Sequence, residues 1–273
     1  MRLSQLVTCV YILAHTEDVA PLETALRLEG FSNIRILRQQ LKGPESRFTR
    51  IAKCLLNHEA AWRQCSQCNG LQIVLEADFV PVVGFGRMTV PFPLELTGSA
   101  WGFLYSSSQR VYEIVQNSYF RGHSAAPVAT IMDSKVAAVL ASFARNELDQ
   151  CNPENYLNSW DVYIRIYAQH KGVSTYIPFK SYGEHGGLPN PEHRLLGVTP
   201  GHRADNLWGV LHFLPAYAEG RLLKYRRVRF FARIKALLRL VTGNFVECQL
   251  ICNPDISILS KIRLVAFGLH RLV

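Results

Sequence analysis

The pattern of apolar residues in the first 37 positions constrains the fold most strongly. Residues 6–14 form an apolar, partly β-branched run that predicts a buried strand. Thr16 offers a helix N-cap, and residues 34–37 predict a second strand after Gly30. Between them, apolar residues recur at helical spacing, at Val19, Leu22, Ala25 and Leu26. Strand, helix and strand in this order predict a parallel pair joined by a right-handed crossover, and therefore an α/β fold.

Apolar and polar segments keep alternating beyond this unit. The further predicted elements are a helix at 49–64, strands at 71–75, 101–105 and 128–131, a helix at 134–145, an element of either type at 161–168, and a loop at 182–203. Hydrophobic residues make up 48% and charged residues 19% of the 273, which is typical of a globular protein. This length suits one α/β domain with an appendage, and we place the boundary between residues 1–205 and a C-terminal extension at 206–273.

The net charge of +9 belongs to one segment of the chain. Residues 221–240 hold eight Lys or Arg and no Asp or Glu, while the rest of the chain holds 22 basic and 21 acidic residues. A helical projection puts Leu223, Phe230, Ile234, Leu237 and Val241 on one face, with most basic residues opposite. Such a helix suits an anionic membrane surface, so residues 221–241 predict a membrane partner. The alternative is an amphipathic helix packed on the domain with solvated charges.

Two further observations bear on location and partners. The seven cysteines are odd in number and lack disulfide-framework spacing, and no second pair accompanies Cys65 and Cys68, so we expect a reducing compartment and no zinc site. No apolar run reaches the roughly 18 residues that span a bilayer. We therefore predict a cytoplasmic protein, peripheral on the inner face of the plasma membrane. Nucleic acid is not a predicted partner, because no motif accompanies the charge and the aromatics lie on the apolar face.

Two carboxylates follow the predicted strand at 71–75. Glu76 and Asp78 are two residues apart, a spacing that puts strand side chains on one face. In open α/β sheets, ligands gather at the carboxyl ends of strands. Paired carboxylates there suit Mg²⁺ or Mn²⁺, although an acidic triplet is also common in solvated turns.

The surrounding residues resemble a known family. The stretch Cys54-Leu-Leu-Asn-His58-Glu-Ala-Ala-Trp62, followed by Leu71-Gln-Ile-Val-Leu-Glu76-Ala-Asp78, is similar to glycosyltransferase family 25 of lipopolysaccharide biosynthesis. That family has a Cys-x-x-Ser-His-x-x-x-Trp helix and then an apolar strand ending in Glu-Asp-Asp. Asn57 replaces the usual Ser, and Ala77 replaces the middle Asp. The resemblance is strongest over residues 50–80 and extends faintly to about residue 185.

The resemblance implies a GT-A-like α/β fold, with a mostly parallel sheet flanked by helices and a basic helical extension. It implies transfer of a hexose from a nucleotide sugar, UDP-galactose or UDP-glucose, to a lipopolysaccharide or related lipid-linked glycan acceptor. Glu76 and Asp78 would then hold a divalent cation, Mn²⁺ or Mg²⁺, and the donor diphosphate. His58 would lie under the donor site, although a plain core histidine is an equal alternative on this apolar helix face.

Later segments complete the predicted site. Residues 160–165 are similar to a family segment in which an acidic residue introduces a helix, so Asp161 is the first candidate for the general base and Glu184 the second. Asp161 has the alternative role of a helix cap. In the Gly-, Pro- and His-rich loop, His185 and the amide of Gly186 are candidates for contact with a donor phosphate. The alternative to catalysis is an inactive member of the same fold that binds glycan or membrane, disabled by the loss at Ala77.

Overall fold

The computed structural model describes residues 1–116, 119–187, 202–242, 254 and 257–272. The α-helices are α1 (Leu3–Leu6), α2 (Ala20–Leu28), α3 (Arg50–Cys65), α4 (Ser134–Gln150), α5 (Trp160–His170), α6 (Leu222–Val241) and α7 (Ile258–Leu272). The strands are β1 (Val7–Ala14), β2 (Ile34–Arg38), β3 (Leu71–Glu76), β4 (Phe79–Pro81), β5 (Ala100–Phe103), β6 (Ser107–Gln116), β7 (Tyr119–Ala125), β8 (Ala129–Met132), β9 (Ser174–Pro178) and β10 (Gly183–His185). Short 3₁₀ helices lie at Gly43–Arg47, Phe85–Arg87, Leu94–Ser99, Pro153–Asn155 and Ala216–Ala218.

Eight of the strands form one central sheet in the order β2-β1-β3-β8-β5-β9-β7-β6. β1 pairs in parallel with β2 and β3, and β5 pairs in parallel with β9. β8 and β7 run against their neighbours, so six of the eight strands share one direction. The prediction of an α/β fold with a mostly parallel sheet flanked by helices is confirmed.

The N-terminal strand, helix and strand form the predicted βαβ unit, although the helix starts later than expected. Thr16 was the predicted N-cap, but α2 begins at Ala20, with Pro21 in its first turn. The Asp18 side chain accepts a hydrogen bond from the Ala20 amide at 2.9 Å, which satisfies one of the free amides there. The Thr16 prediction is therefore wrong, because proline favours the first turn of a helix.

Two apolar layers cover the sheet. On one side, the core contains side chains from α3, α4 and α5 with the large rings of Trp62 and Trp101. On the other side, α2 and the loops pack over a core that contains Phe79, Phe85 and Tyr105. The segment at 161–168, for which the sequence allows either a strand or a helix, belongs to α5. Its buried residues Ile164 and Ala168 lie on the inner face of that helix. The functional side chains described below lie at the edge where β3 leaves these layers.

A second, two-stranded sheet brings residues 183–185 to that edge. β4 starts three residues after β3 ends, and it pairs antiparallel with β10, with Val80 opposite Glu184 and Phe79 opposite His185. The loop predicted at 182–203 is therefore a strand over its first residues, and residues 188–201 lie outside the described part of the chain.

The basic helix α6 packs on the domain through its basic side. Arg229, Ala232 and Ala236 are its buried residues, whereas Phe230 is 60% exposed and Val241 77% exposed. Arg229, predicted on the basic face, thus points inward, and the residues of the predicted apolar face are exposed. α7 lies against α6 and also exposes apolar side chains, at Ile258, Leu259, Ile262, Val265 and Leu269.

The predicted boundary at residue 205 stays a prediction, and chain on both sides of it is in contact. Leu207 forms a bridge with Ser181, and Leu211 forms one with Val82. Within the described residues, no helix is both long enough and apolar enough to cross a membrane.

Candidate active site

Three side chains that are distant in sequence converge at the carboxyl end of β3. Glu76 is the last residue of β3, Asp78 lies in the turn before β4, and His185 ends β10. The His185 Nε2 atom lies 3.0 Å from Asp78 Oδ2 and 3.9 Å from Glu76 Oε2. The turn is held by the Ala77 amide, which donates to Leu13 O at 2.9 Å. Each of the three side chains offers one ligand atom within 4.8 Å of the other two, so the group has the dimensions of a cation site. We name Glu76, Asp78 and His185 the cation cluster.

The charges of the cation cluster are strongly coupled. Burial and the nearby Asp78 carboxylate raise the pKa of Glu76 to about 7. Burial alone would lower the pKa of His185, but the charge of Asp78 and its hydrogen bond raise it to about 9. Burial opposes ionisation of Asp78 as well, yet the positive charge of His185 holds the pKa of that carboxyl below its usual range. Near neutral pH, the His185 proton therefore occupies the place where a cation would balance two carboxylates.

Two glycines make room for Asp78. The Gly186 amide donates to Asp78 O at 2.7 Å, so it is not free for the donor phosphate that the sequence suggested. A Cβ atom on Gly187 would lie 2.1 Å from Asp78 Oδ2, closer than any real contact allows. The role of these glycines in the structure is to let the chain after β10 pass close to Asp78.

Arg203 closes this turn from the other side, and the sequence analysis did not identify it. Its guanidinium donates to the carbonyl oxygens of His185 and Gly187 and lies 4.1 Å from the centroid of the Tyr217 ring. Its charge also helps to hold the pKa of Asp78 low, after the larger effect of His185. No local pattern marks Arg203, because each of its partners is at least 14 residues away in sequence.

His58 lies directly beneath Glu76, in the core. Its ring lies between Trp62 and Trp160, with centroids 5.1 Å away in both cases. Nδ1 donates to Cys54 O at 3.1 Å, and Nε2 lies 3.7 Å from Glu76 Oε1. Burial lowers the pKa of His58 to about 4, so the ring is neutral at pH 7. His58 is thus a buried core histidine that also contacts the cation cluster from below.

Cys54, His58 and Glu76 form a second group with metal-ligand spacing. Burial raises the pKa of the Cys54 thiol well above its ordinary value, which disfavours the thiolate that a metal needs. Two carboxylates and one imidazole suit Mn²⁺ or Mg²⁺ better than this set does.

The two candidate bases have different surroundings. Asp161 lies in the first turn of α5, is partly exposed, and its charge contributes to the raised pKa of Glu76. The residue at the N-cap position is Ser159, so Asp161 is not the cap. Glu184 is fully buried and forms a 2.6 Å ion pair with Arg229. Amides of His185 and Ala204 donate to its other oxygen, so Glu184 is a structural carboxylate and not an accessible base.

Comparisons with known proteins place few constraints on the chain. No protein-family model matches the sequence, and no curated protein matches it significantly. Among solved structures, it is similar to the crystal structure of a glycosyltransferase involved in the glycosylation of the major capsid of PBCV-1. That similarity has a TM-score of 0.39 and 7% sequence identity, and it covers 62% of this chain and 81% of the other.

Proposed function

We propose that this protein is a cation-dependent glycosyltransferase. It transfers a hexose from a UDP-sugar, UDP-galactose or UDP-glucose, to a lipopolysaccharide or related lipid-linked glycan. The observation that carries the proposal is the cation cluster at the carboxyl end of a central strand of an α/β sheet. Two of its three members, Glu76 and Asp78, are residues through which the sequence resembles glycosyltransferase family 25.

The donor atoms of the cation cluster fit Mn²⁺ or Mg²⁺. Asp78 Oδ1 and His185 Nδ1 are buried and have no hydrogen-bond partner among the described residues. Glu76 and Asp78 supply oxygen ligands, and His185 supplies a nitrogen once its proton leaves. A cation held there supplies Lewis-acid neutralisation of the diphosphate leaving group.

Asp161 is the proposed base. Its carboxylate would accept the proton of the acceptor hydroxyl while that oxygen bonds to the anomeric carbon and the bond from this carbon to the UDP oxygen breaks. The position of Asp161 supports this role, because its charge acts on Glu76 and it lies next to Trp160, which packs on His58. The rings around His58 keep the base and the cation cluster in a fixed relation.

Ala77 does not favour the alternative of an inactive protein. Its side chain packs against the apolar core on the α2 side of the sheet. The replacement of an acidic residue at position 77 therefore removes no ligand from the cluster that Glu76, Asp78 and His185 form.

The surface of α6 supports action at a membrane, on its cytoplasmic face. Leu223 is 79% exposed and Phe230 60% exposed, and the neighbouring helix α7 adds further exposed apolar side chains. Basic residues of α6 that do not pack inward would attract anionic lipids, each contributing on the order of 1 kcal/mol. Replacing Phe230 and Phe231 by Ser should reduce sedimentation with phosphatidylglycerol vesicles at least tenfold. Unchanged sedimentation would contradict membrane binding through α6.

The transferase is tested by release of UDP from a panel of UDP-hexoses with Mn²⁺. Asp78→Asn should lower the rate at least about 100-fold, because mutating even a residue that only contacts a metal ligand lowers metal affinity or activity about 10–100-fold. Asp149→Asn is the matched control, since Asp149 is exposed at the end of α4. No UDP release by the wild type, together with no donor binding in calorimetry, would refute the proposal and favour the binding protein.

A further inference from the structure

Two neighbouring loops beside the two-stranded sheet expose large apolar side chains. Val210 is 76% exposed and Trp208 48% exposed, and Val83 and Leu214 are exposed as well. The Val83 amide donates to Val210 O at 2.7 Å, so the two loops run side by side. We name Val83, Trp208, Val210 and Leu214 the apolar loop surface. Exposed apolar patches of this kind mark contacts with a protein or a membrane.

Hydrogen bonds hold the apolar loop surface in place although it is exposed. The Trp208 amide donates to Ser181 O at 2.9 Å. The Glu29 carboxylate accepts a hydrogen bond from the Gly84 amide at 2.6 Å and lies 2.7 Å from His212 Nε2. Glu29 therefore ties together the two loops that carry the surface. A surface that is already ordered loses little conformational entropy when it binds.

The same loops are connected directly to the cation cluster. β4 leads from Asp78 to Val83, which lies five residues later, so the two residues are at most roughly 18 Å apart. β10 pairs with β4 and carries His185 to the cluster. Whatever binds the apolar loop surface therefore also sets the direction in which the candidate active site faces.

Charge identifies the partner that fits this surface. Residues 206–218 contain no Asp, Glu, Lys or Arg, whereas residues 219–241 contain eight Lys or Arg and one acidic residue, Glu219. Tyr225 on α6 packs against the same apolar cluster as Phe213, so the beginning of α6 adjoins the loop. Arg221 and Arg226 are exposed there. An uncharged apolar surface beside basic side chains matches the acyl chains and headgroups of anionic lipids.

We propose that the apolar loop surface inserts into the interface of an anionic membrane, beside the first turns of α6. This inference rests on the membrane partner in the proposed function and adds a contact that is separate in sequence from the exposed face of α6. Trp208 suits this depth, because an indole ring has an apolar body and a polar N–H group. One helix on a membrane leaves rotation about its axis undetermined, whereas a second contact fixes the candidate active site relative to a lipid-linked acceptor.

The first test is tryptophan fluorescence with phosphatidylglycerol vesicles whose acyl chains carry bromine, which quenches tryptophan on contact. The chain has four tryptophans, and Trp62, Trp101 and Trp160 are buried, so quenching reports on Trp208. Brominated vesicles should quench the wild type, and vesicles without bromine should not. Trp208→Phe should still sediment with the vesicles and lose the quenching.

A second test compares two variants with the same change of charge. Val210→Asp should raise the dissociation constant for phosphatidylglycerol vesicles at least tenfold, because it replaces an apolar side chain that enters the interface by a charged one. Leu157→Asp is the control and should bind like the wild type. Leu157 is 78% exposed, and its neighbour Tyr156 packs in the core on the other side of the central sheet. Both positions are exposed, so neither replacement disturbs a packed core.

The outcomes separate this inference from the proposed function. Sedimentation of the wild type without quenching, or equal weakening by both Asp variants, would overturn the loop contact alone. A dimer in sedimentation velocity without lipid, lost in Val210→Asp, would assign the surface to a second copy of the chain and overturn the proposal. No vesicle binding would overturn the membrane partner as well. UDP release by the wild type needs no membrane and tests the transferase independently.

Discussion

The replacement Arg229→Met should destabilise the protein strongly, because it leaves the Glu184 carboxylate buried without its counter-charge. The Glu184 side chain is fully buried, and Arg229 Nη1 lies 2.6 Å from Glu184 Oε2. The same nitrogen donates to Ala204 O at 2.6 Å. After the replacement, Oε1 keeps its two amide donors, whereas the donor that Oε2 keeps among the described residues is the Tyr217 hydroxyl at 3.5 Å.

The magnitude follows from the charge that remains. Two unit charges about 4 Å apart interact by about 4 kcal/mol at an effective dielectric constant of about 20. Measured losses on breaking a buried pair are about 3–5 kcal/mol, and we expect a loss in this range for Arg229→Met. The assay is urea unfolding followed by circular dichroism at pH 7, with hydrogen exchange of the α6 amides to show whether the helix detaches first.

Two further variants make the reasoning refutable. Adding Glu184→Gln to Arg229→Met should recover at least about 2 kcal/mol, because the buried charge is removed while the amide donors keep an acceptor. Lys224, also on α6, forms an exposed pair with Glu219, which precedes the helix, and Lys224→Met should leave stability unchanged. A loss below about 1 kcal/mol for Arg229→Met, or no recovery in the double variant, would refute this account of how α6 is held.

The remaining predictions concern the cation cluster. Glu76→Gln should raise stability at pH 8 without metal by about 1 kcal/mol, because a pKa raised to about 7 means that the folded state loses stability as pH rises from about 4.5 to 7. Asp78→Asn should lower stability at pH 8 by about 1 kcal/mol, because the depressed pKa of the Asp78 carboxyl stabilises the folded state at every pH above the pKa of this group in the unfolded chain. Thermal unfolding in which both variants shift the midpoint in the same direction would contradict these assignments. Mn²⁺ affinity in calorimetry should rise with pH up to about 9, as His185 loses its proton, and a flat profile would exclude His185 as a ligand. Gly187→Ala should abolish UDP release with the fold retained, since its Cβ would lie 2.1 Å from Asp78 Oδ2, whereas Gly98→Ala, with its closest neighbour at 3.4 Å, should have no effect.

Local sequence was sufficient for the elements whose determinants lie within one turn or one strand. The strands predicted at 6–14 and 34–37 are β1 and β2, with β1 starting one residue later because Leu6 ends α1. Thr49 caps α3 by accepting a hydrogen bond from the Ala52 amide at 3.2 Å. Strand alternation and a following turn also placed Glu76 and Asp78 at one edge. Thr16 failed as a cap because a nearby proline and Asp18 determine where α2 begins.

Pairing between distant segments decided the rest. His185 joins Glu76 and Asp78 only because β10 pairs with β4, more than a hundred residues earlier, and alternation along β10 turns Glu184 to the opposite side. Glu184, once buried, requires Arg229, which turns the basic side of α6 inward and leaves Phe230 exposed. A helical projection ranks faces by hydrophobicity and contains no information on buried carboxylates elsewhere in the chain. The sequence by itself therefore determined the N-terminal strand–helix–strand unit, the helices α3 and α4 and the acidic edge of β3, whereas the composition of the cation cluster and the orientation of α6 depend on charges brought together by the tertiary fold.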